Sequence, residues 1–337
     1  MSQTRDKRLT KPITKQVKVR VGNLEMGLTM DAERARKLRD SAPVKYLLKP
    51  ALNRINSVRH ARRNGNGRNG HERVNIDAYS AGKTLAIPKP IEAPSTPEAQ
   101  AIAQKISTYD WYHTIDLGHG VSTPGYVDHR AQLPFYHLPE DMTGMRVLDV
   151  ATFDGFWAFE FERRGAEVVA IDVASSRQTD IPRNWVDKVE ETMDLDAPKG
   201  KGFEIASEIL GSKVKKEVCS IYDISPERLG MFDMTFCSDV LIHIRDPLAA
   251  IEAIWTVTKD FSVFADVYHP DLEGFEQNTL VEFCQAGQSD VWWRPSRMTY
   301  QLWLQVARYA RIDEISRFVL ESKYRSEIPK VVFHAYR

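Results

Sequence analysis

The chain is poor in cysteine: Cys219, Cys237 and Cys284 are its three, far apart and without a CxxC pair. That spacing matches neither a disulfide framework nor a cysteine zinc site, so the expected location is a reducing cytoplasm. No run of eighteen apolar residues exists, which excludes a membrane-spanning helix. The basic N-terminus, MSQTRDKRLTKPITKQVKVRVG, lacks the apolar core of a secretory signal. Net charge is also missing, because 46 Lys and Arg balance 46 Asp and Glu over 337 residues. The balance conceals two opposed parts. Residues 1–90 hold 21 basic and 7 acidic side chains, and the remaining residues hold 25 basic and 39 acidic ones. A basic arm is joined to an acidic body.

Residues 1–28 carry little periodicity. From Thr29 the stretch TMDAERARKLRDSAPVKYLLKPALNRINSVRHARR reads as helical, with Thr29 or Asp31 as N-cap and breaks at Pro43 and Pro50. NGNGRNG, 64–70, is a hinge, and IPKPIEAPSTPEAQ, 87–100, is a proline-rich linker. The organisation expected is a basic arm over 1–86, linker and lead-in helix over 87–108, and a catalytic domain over 109–337. In that domain short apolar runs alternate with helical patterns. Strands are expected at 145–151, 166–172, 215–223, 232–240 and 261–267, with two more in RIDEISRFV and KVVFHAY. Helices are expected at 155–165, 246–258 and 295–310. The fold class is α/β, a doubly wound Rossmann-like sheet of seven strands with its ligand at the C-terminal strand ends.

The first strand runs into Asp149-Val150-Ala151-Thr152-Phe153-Asp154-Gly155, and a helix follows at once. A tight turn here brings backbone N–H groups close to a ligand. Asp172, at the end of the next strand, is placed to accept from ribose hydroxyls. The loop has one glycine where a dinucleotide site needs G-x-G-x-x-G, and Asp154 would repel a pyrophosphate. A ligand with a ribose and a cationic, phosphate-free tail fits better, and S-adenosylmethionine has both. Tyr222-Asp223 and Ser238-Asp239 end the third and fourth strands, where adenine and the transferred methyl would lie. Any of these aspartates can instead serve as a helix cap.

Residues 109–337 resemble class I S-adenosylmethionine-dependent methyltransferases, and more narrowly the group related to the tRNA wobble-uridine 5-oxyacetate methyltransferase. The resemblance rests on six blocks in order: WYHTIDLGHGVSTPG, RVLDVATFDGFWAFEFERRGAEVVAIDV, GFEIASEILGSKV, YDISPERLGMFD, DVLIHIRDPLAAIEAI and WWRPS. It implies cofactor contacts from Asp149, Ala151, Thr152, Phe153, Asp154 and Gly155, from Asp172 and Val173, from Asp223 and Ile224, and from Ser238. Ala151 replaces the loop's first glycine, which an ordinary backbone angle would tolerate. The group's Leu-Tyr-His reads Leu241-Ile242-His243 here. Loss of that tyrosine implies plain S-adenosylmethionine rather than its carboxylated relative.

Methyl transfer to a hydroxyl needs a group to take the proton, and histidine suits neutral pH. His243, at the fourth strand's end, and His113, before the first strand, are the candidates; each has a structural alternative, as loop anchor or lid. Asp266, His269 and Asp271 match no metal spacing, and no metal is expected. Trp292 and Trp293 suit either stacking on a ligand or a place in the core. The acceptor expected is a hydroxyl of a sugar, glycolipid or secondary metabolite, with tRNA as the alternative. A non-catalytic cofactor-fold protein is the reading from another class. The arm suits a solvated tail, docking on a neighbouring subunit in a homo-oligomer, an anionic membrane surface, or tRNA.

Overall fold

The computed structural model describes residues 14–21, 24–31 and 96–337, without 276–278, 285–290 and 324–326. The chain divides into two units, Met1–Arg73 and Val74–Arg337.

In the first unit, β1 (Thr14–Val21) pairs antiparallel with β2 (Leu24–Asp31) in a register that sets Val21 opposite Leu24. This corrects two expectations. Residues 1–28 are not without pattern: QVKVRV alternates with period two, the signature of a strand. Thr29 and Asp31 belong to β2 rather than capping a helix. The rest of the helical reading of the arm and the hinge at 64–70 lie outside the described residues.

The second unit begins with α1 (Pro97–Ile106), capped by Thr96, whose Oγ1 accepts from Ala99 N at 3.1 Å. Proline at the first helical position costs no hydrogen bond, so Pro97 starts a helix instead of extending the linker through residue 100. The sheet then follows in chain order: β3 (Arg146–Val150), α2 (Phe156–Arg163), β4 (Glu167–Asp172), α3 (Lys201–Leu210) and β5 (Lys215–Val218). It continues with β6 (Phe232–Ser238), α4 (Pro247–Val257) and β7 (Thr258–Val267). A short hairpin, β8 (Val281–Phe283) with β9 (Trp293–Pro295), precedes α5 (Arg297–Val306), β10 (Arg311–Glu321) and β11 (Glu327–Tyr336). The seven strands lie in the order β10-β11-β7-β6-β3-β4-β5. From β7 to β5 neighbours are parallel, and β11 and β10 are antiparallel additions at the other edge. The third strand ends at Val218, not Asp223: Ser220 accepts from Tyr222 N at 3.3 Å and turns Ile221–Asp223 into a 3-10 helix.

Alternation along the strands builds two cores. Val147, Met234, Phe236 and Val263 pack on one side, and Leu148, Val150, Cys237 and Phe264 on the other. The first core is aromatic. Trp157 lies 4.5 Å from both Tyr136 and Phe236 between ring centroids, and Phe161 lies 5.1 Å from Phe236. Phe236 is wholly buried at the centre of this group. Phe236→Ala is therefore expected to cost about 3–5 kcal/mol, read as a lower midpoint in urea unfolding.

Candidate cofactor and active site

The loop after β3 turns back on itself through three left-handed residues: Ala151 (φ +59°), Phe153 (φ +52°) and Gly155 (φ +95°). Ala151 thus adopts a glycine-like angle without being glycine, so the condition under which the replacement would be tolerated without strain is not met. The left-handed backbone crowds Cβ against the following carbonyl by about 1–2 kcal/mol per residue. Gly155 cannot be replaced in kind, since a Cβ there would stand 2.4 Å from a ring carbon of Phe159. The turn is tied down by Thr152 N donating to Ile171 O (2.9 Å) and Phe153 N to Asp172 Oδ2 (3.1 Å).

Asp154 is fully buried, and its carboxylate is taken up by the segment before β3. Oδ2 accepts from Tyr112 N (3.0 Å) and His113 N (2.9 Å), while Oδ1 bonds His113 Nδ1. The sequence reading set Asp154 against the cofactor; in the fold it anchors His113. The same segment is pressed close by Gly125, where a Cβ would come within 2.2 Å of the His113 carbonyl carbon. His113 is itself buried, stacked on Phe156 at 5.7 Å and 5.6 Å from His129. Its Nε2 is the nitrogen not committed to Asp154.

Asp149 and Thr152 are the unsatisfied pair of the site. Asp149 Oδ2 and Thr152 Oγ1 are buried side-chain atoms without a hydrogen-bond partner. Burial pushes the Asp149 carboxyl up to about 7, against the opposing influence of Thr152 and His113. A buried polar atom without a partner costs stability unless a ligand meets it.

At the end of β4, Asp172 is 7% exposed and already engaged. Oδ1 accepts from Val173 N (2.7 Å) and from Lys199 Nζ (3.1 Å). Lys199, which the sequence reading missed, also lies 5.4 Å from the Phe153 ring. Ile224 is buried. Asp223 sits on the 3-10 turn, its side chain 63% exposed and 3.9 Å from Arg228. A carboxylate more closely tied in that region is Asp180, whose Oδ2 accepts from Tyr222 OH (2.5 Å) and Arg245 N (2.7 Å).

Ser238 closes β6, and its Oγ donates to Asp239 Oδ2 at 3.2 Å. The strand stops there, and His243 follows on the 3-10 turn Leu241–His243. Asp266 fastens that turn by accepting from Leu241 N at 2.9 Å. Burial and the nearby Asp239 charge push the Asp266 carboxyl up to about 6, opposed by Lys330 and His243. Trp292 and Trp293 are half-buried and both donate to main chain, Trp292 to Asp180 O (2.6 Å) and Trp293 to Ile244 O (3.0 Å). Trp293, with the main-chain N of Trp292 donating to Ile242 O at 2.7 Å, clamps the His243 turn from the β8–β9 side. His269 pairs with Glu282 at 3.2 Å.

The sheet order, with its antiparallel strand inserted beside β7, is that of the Rossmann-like methyltransferase fold. Two curated proteins of similar sequence are methyltransferases by name. The ubiquinone biosynthesis O-methyltransferase of Xanthomonas euvesicatoria pv. vesicatoria is 28% identical over 140 residues, 42% of this chain and 49% of that one. The magnesium-protoporphyrin O-methyltransferase of Rhodobacter capsulatus is 29% identical over 111 residues, 33% of this chain and 38% of that one. The chain thus spans about half the length, or less, of these relatives. Among solved structures, the N-terminal domain of EvdMO1, crystallised with S-adenosylhomocysteine and D-fucose, superposes with a TM-score of 0.46 at 16% identity over 73% of this chain and 99% of that one. No protein-family model matches.

The loop strain has a direct test. Ala151→Gly removes the Cβ penalty at φ +59° and is expected to raise stability by up to about 1 kcal/mol, after the extra freedom glycine gives the unfolded chain. Thermal unfolding of the two proteins side by side reads the difference, and a lowered midpoint contradicts it.

Proposed function

We propose that this protein is an S-adenosylmethionine-dependent methyltransferase acting on a hydroxyl of a small molecule, of the sugar, glycolipid or secondary-metabolite kind. The observation that carries the reading is the buried, unpartnered Asp149 Oδ2 and Thr152 Oγ1 beside the strand-end carboxylate of Asp172. An α-ammonium group would meet the first two and a ribose diol the third, with no phosphate to be repelled. The named activity of the two relatives supports oxygen as the acceptor atom.

When bound, the cofactor supplies an electrophilic methyl carbon on a sulfonium. The chain's own contribution is to hold and align. Asp149 and Thr152 would bind the amino-acid end, and the left-handed turn at Ala151 and Phe153 would bring main chain close to it. Val173, Asp223 and Ile224 would frame the nucleoside, and Asp172 would accept from the ribose while sharing Lys199. The buried Asp154 would keep His113 fixed over the loop. Of the two histidines the sequence offers, His113 is bonded through Nδ1 to Asp154 and His243 lies on the Leu241–His243 turn.

The full chain is expected to bind S-adenosylmethionine in calorimetry and to transfer a labelled methyl to a component of cell extract, identified by mass spectrometry. Absence of binding overturns the reading. Asp172→Ala is expected to weaken affinity at least about tenfold, the loss of a charge-assisted contact of about 1.5–3 kcal/mol.

Asp149 adds a pH signature. Its carboxyl loses its proton at about 7 in the fold against 3.8 in a free chain. Between those values the folded protein holds a proton that the unfolded one has lost. This group's contribution to stability is therefore complete below pH 3.8 and is lost as pH rises through 7. A cationic ligand needs the carboxylate, so cofactor affinity should increase as pH rises toward 7, with release of a proton. Calorimetry in buffers of different ionisation enthalpy measures that proton, and Asp149→Asn should abolish it together with the slope.

A further inference from the structure

The geometry points to Asp239 as the group that receives the acceptor hydroxyl's proton, held in place by the buried Lys330; this rests on the methyl-transfer reading above. Asp239 follows the last residue of β6, the strand adjoining β3, with Cys237 in register with Val150. It thus stands beside the strand end that carries Asp149 and the Ala151–Gly155 loop. Its backbone is left-handed, φ +57°, on a residue with a Cβ. Lys330 comes from β11 with no exposed surface at all, and its Nζ bonds Asp239 Oδ1 and donates to Ala265 O at 3.0 Å. Asp239 is the accessible end of this pair, its side chain 20% exposed against 0% for Lys330.

A fully buried lysine is a poor stabiliser. Desolvation of the pair consumes most of its attraction, and apolar residues of the same volume commonly serve the fold as well or better. What the lysine does achieve is to keep a carboxylate ionised and aimed. Burial pushes the Asp239 carboxyl up, but the Lys330 charge and the bonds from Lys330 and Ser238 outweigh it and hold it below the ordinary carboxylate range. The groups around it come from every side. His129, before the 3-10 helix Arg130–Tyr136, is kept neutral by burial and by His113, with Lys330 adding to the effect. Burial and Asp239 keep the Tyr136 phenol protonated. Cys237 on β6 and Tyr300 on α5 are likewise held protonated by burial and neighbouring carboxylates, and Asp266 on β7 titrates at about 6.

In the transfer, a lone pair of the acceptor oxygen forms the C–O bond to the methyl carbon. The C–S bond breaks with its electrons going to sulfur. The hydroxyl proton passes to Asp239 Oδ2 and then to solvent.

The test uses the full chain, methyl-labelled S-adenosylmethionine and a deproteinised small-molecule extract of the source cells. Asp239→Asn is expected to lose at least about a hundredfold in transfer, the scale of general-base catalysis, while keeping cofactor affinity. Lys330→Met removes the cation, raises the Asp239 carboxyl and should shift the acidic limb of the pH profile upward by about one pH unit or more. The double variant Asp239→Gly with Lys330→Met suits the left-handed backbone and leaves no unpaired charge. It should unfold no earlier than wild type and still be inactive. Undiminished transfer by Asp239→Asn or by the double variant overturns the inference alone. Wild-type protein that binds the cofactor but labels nothing overturns the hydroxyl-acceptor reading, and this inference with it.

Discussion

Carboxylates withdrawn wholly or mostly from water at the ends of four adjacent parallel strands are the constraint on which the site depends. Asp172, Asp149, Asp239 and Asp266 stand at or next to the C-terminal ends of β4, β3, β6 and β7. A buried charge is costly unless something meets it, and each of the four is met differently. Asp172 has backbone N–H groups and Lys199. Asp239 has Lys330. Asp266 has the amides of Leu241 and Val267 and titrates near neutrality. Asp149 alone keeps an oxygen with no partner, and it too is pushed up. Asp149 is thus the one of the four with an oxygen left for a ligand, and the ammonium group of the proposed cofactor would meet it.

What the sequence makes legible follows from the range of the interactions. Parallel strands covered on both faces read as short apolar runs, so β3, β4, β6 and β7 are visible from periodicity, as are α2 and α4 but not α3. Asp172 is visible because it lies one strand from the loop. The arrangement that the sequence hides is tertiary. Lys199 meets Asp172 from 27 residues away, His113 meets Asp154 from 41, and Lys330 meets Asp239 from 91. No local pattern marks any of these partners. Asp154 was misread for the same reason: a loop carboxylate beside a ligand site looks like a ligand contact until the distant segment that occupies it is in place.

Backbone angle is equally unreadable from composition. Ala151 and Phe153 are ordinary residues in a left-handed conformation that glycine, asparagine or aspartate would signal. Tyr222-Asp223 failed as a strand end because a single Ser220 cap suffices to turn the chain early. In the arm the opposite error occurred, since the alternation of QVKVRV was present and was overlooked beside its charges.

The strained angles and the buried charges share one end of the sheet, and this coincidence bears on function. Strain persists only where surrounding structure overrides the local preference, as the bonds of Thr152 N and Phe153 N do for the loop and that of Asp239 N to Ala265 O does for β6. A sequence selected for stability alone would place glycine at Ala151 and an apolar residue at Lys330. Retaining both choices fixes main-chain and carboxylate positions before any ligand arrives. For a displacement whose rate depends on alignment of the reacting atoms, that rigidity is the contribution a protein can make when its cofactor already carries the reactive carbon.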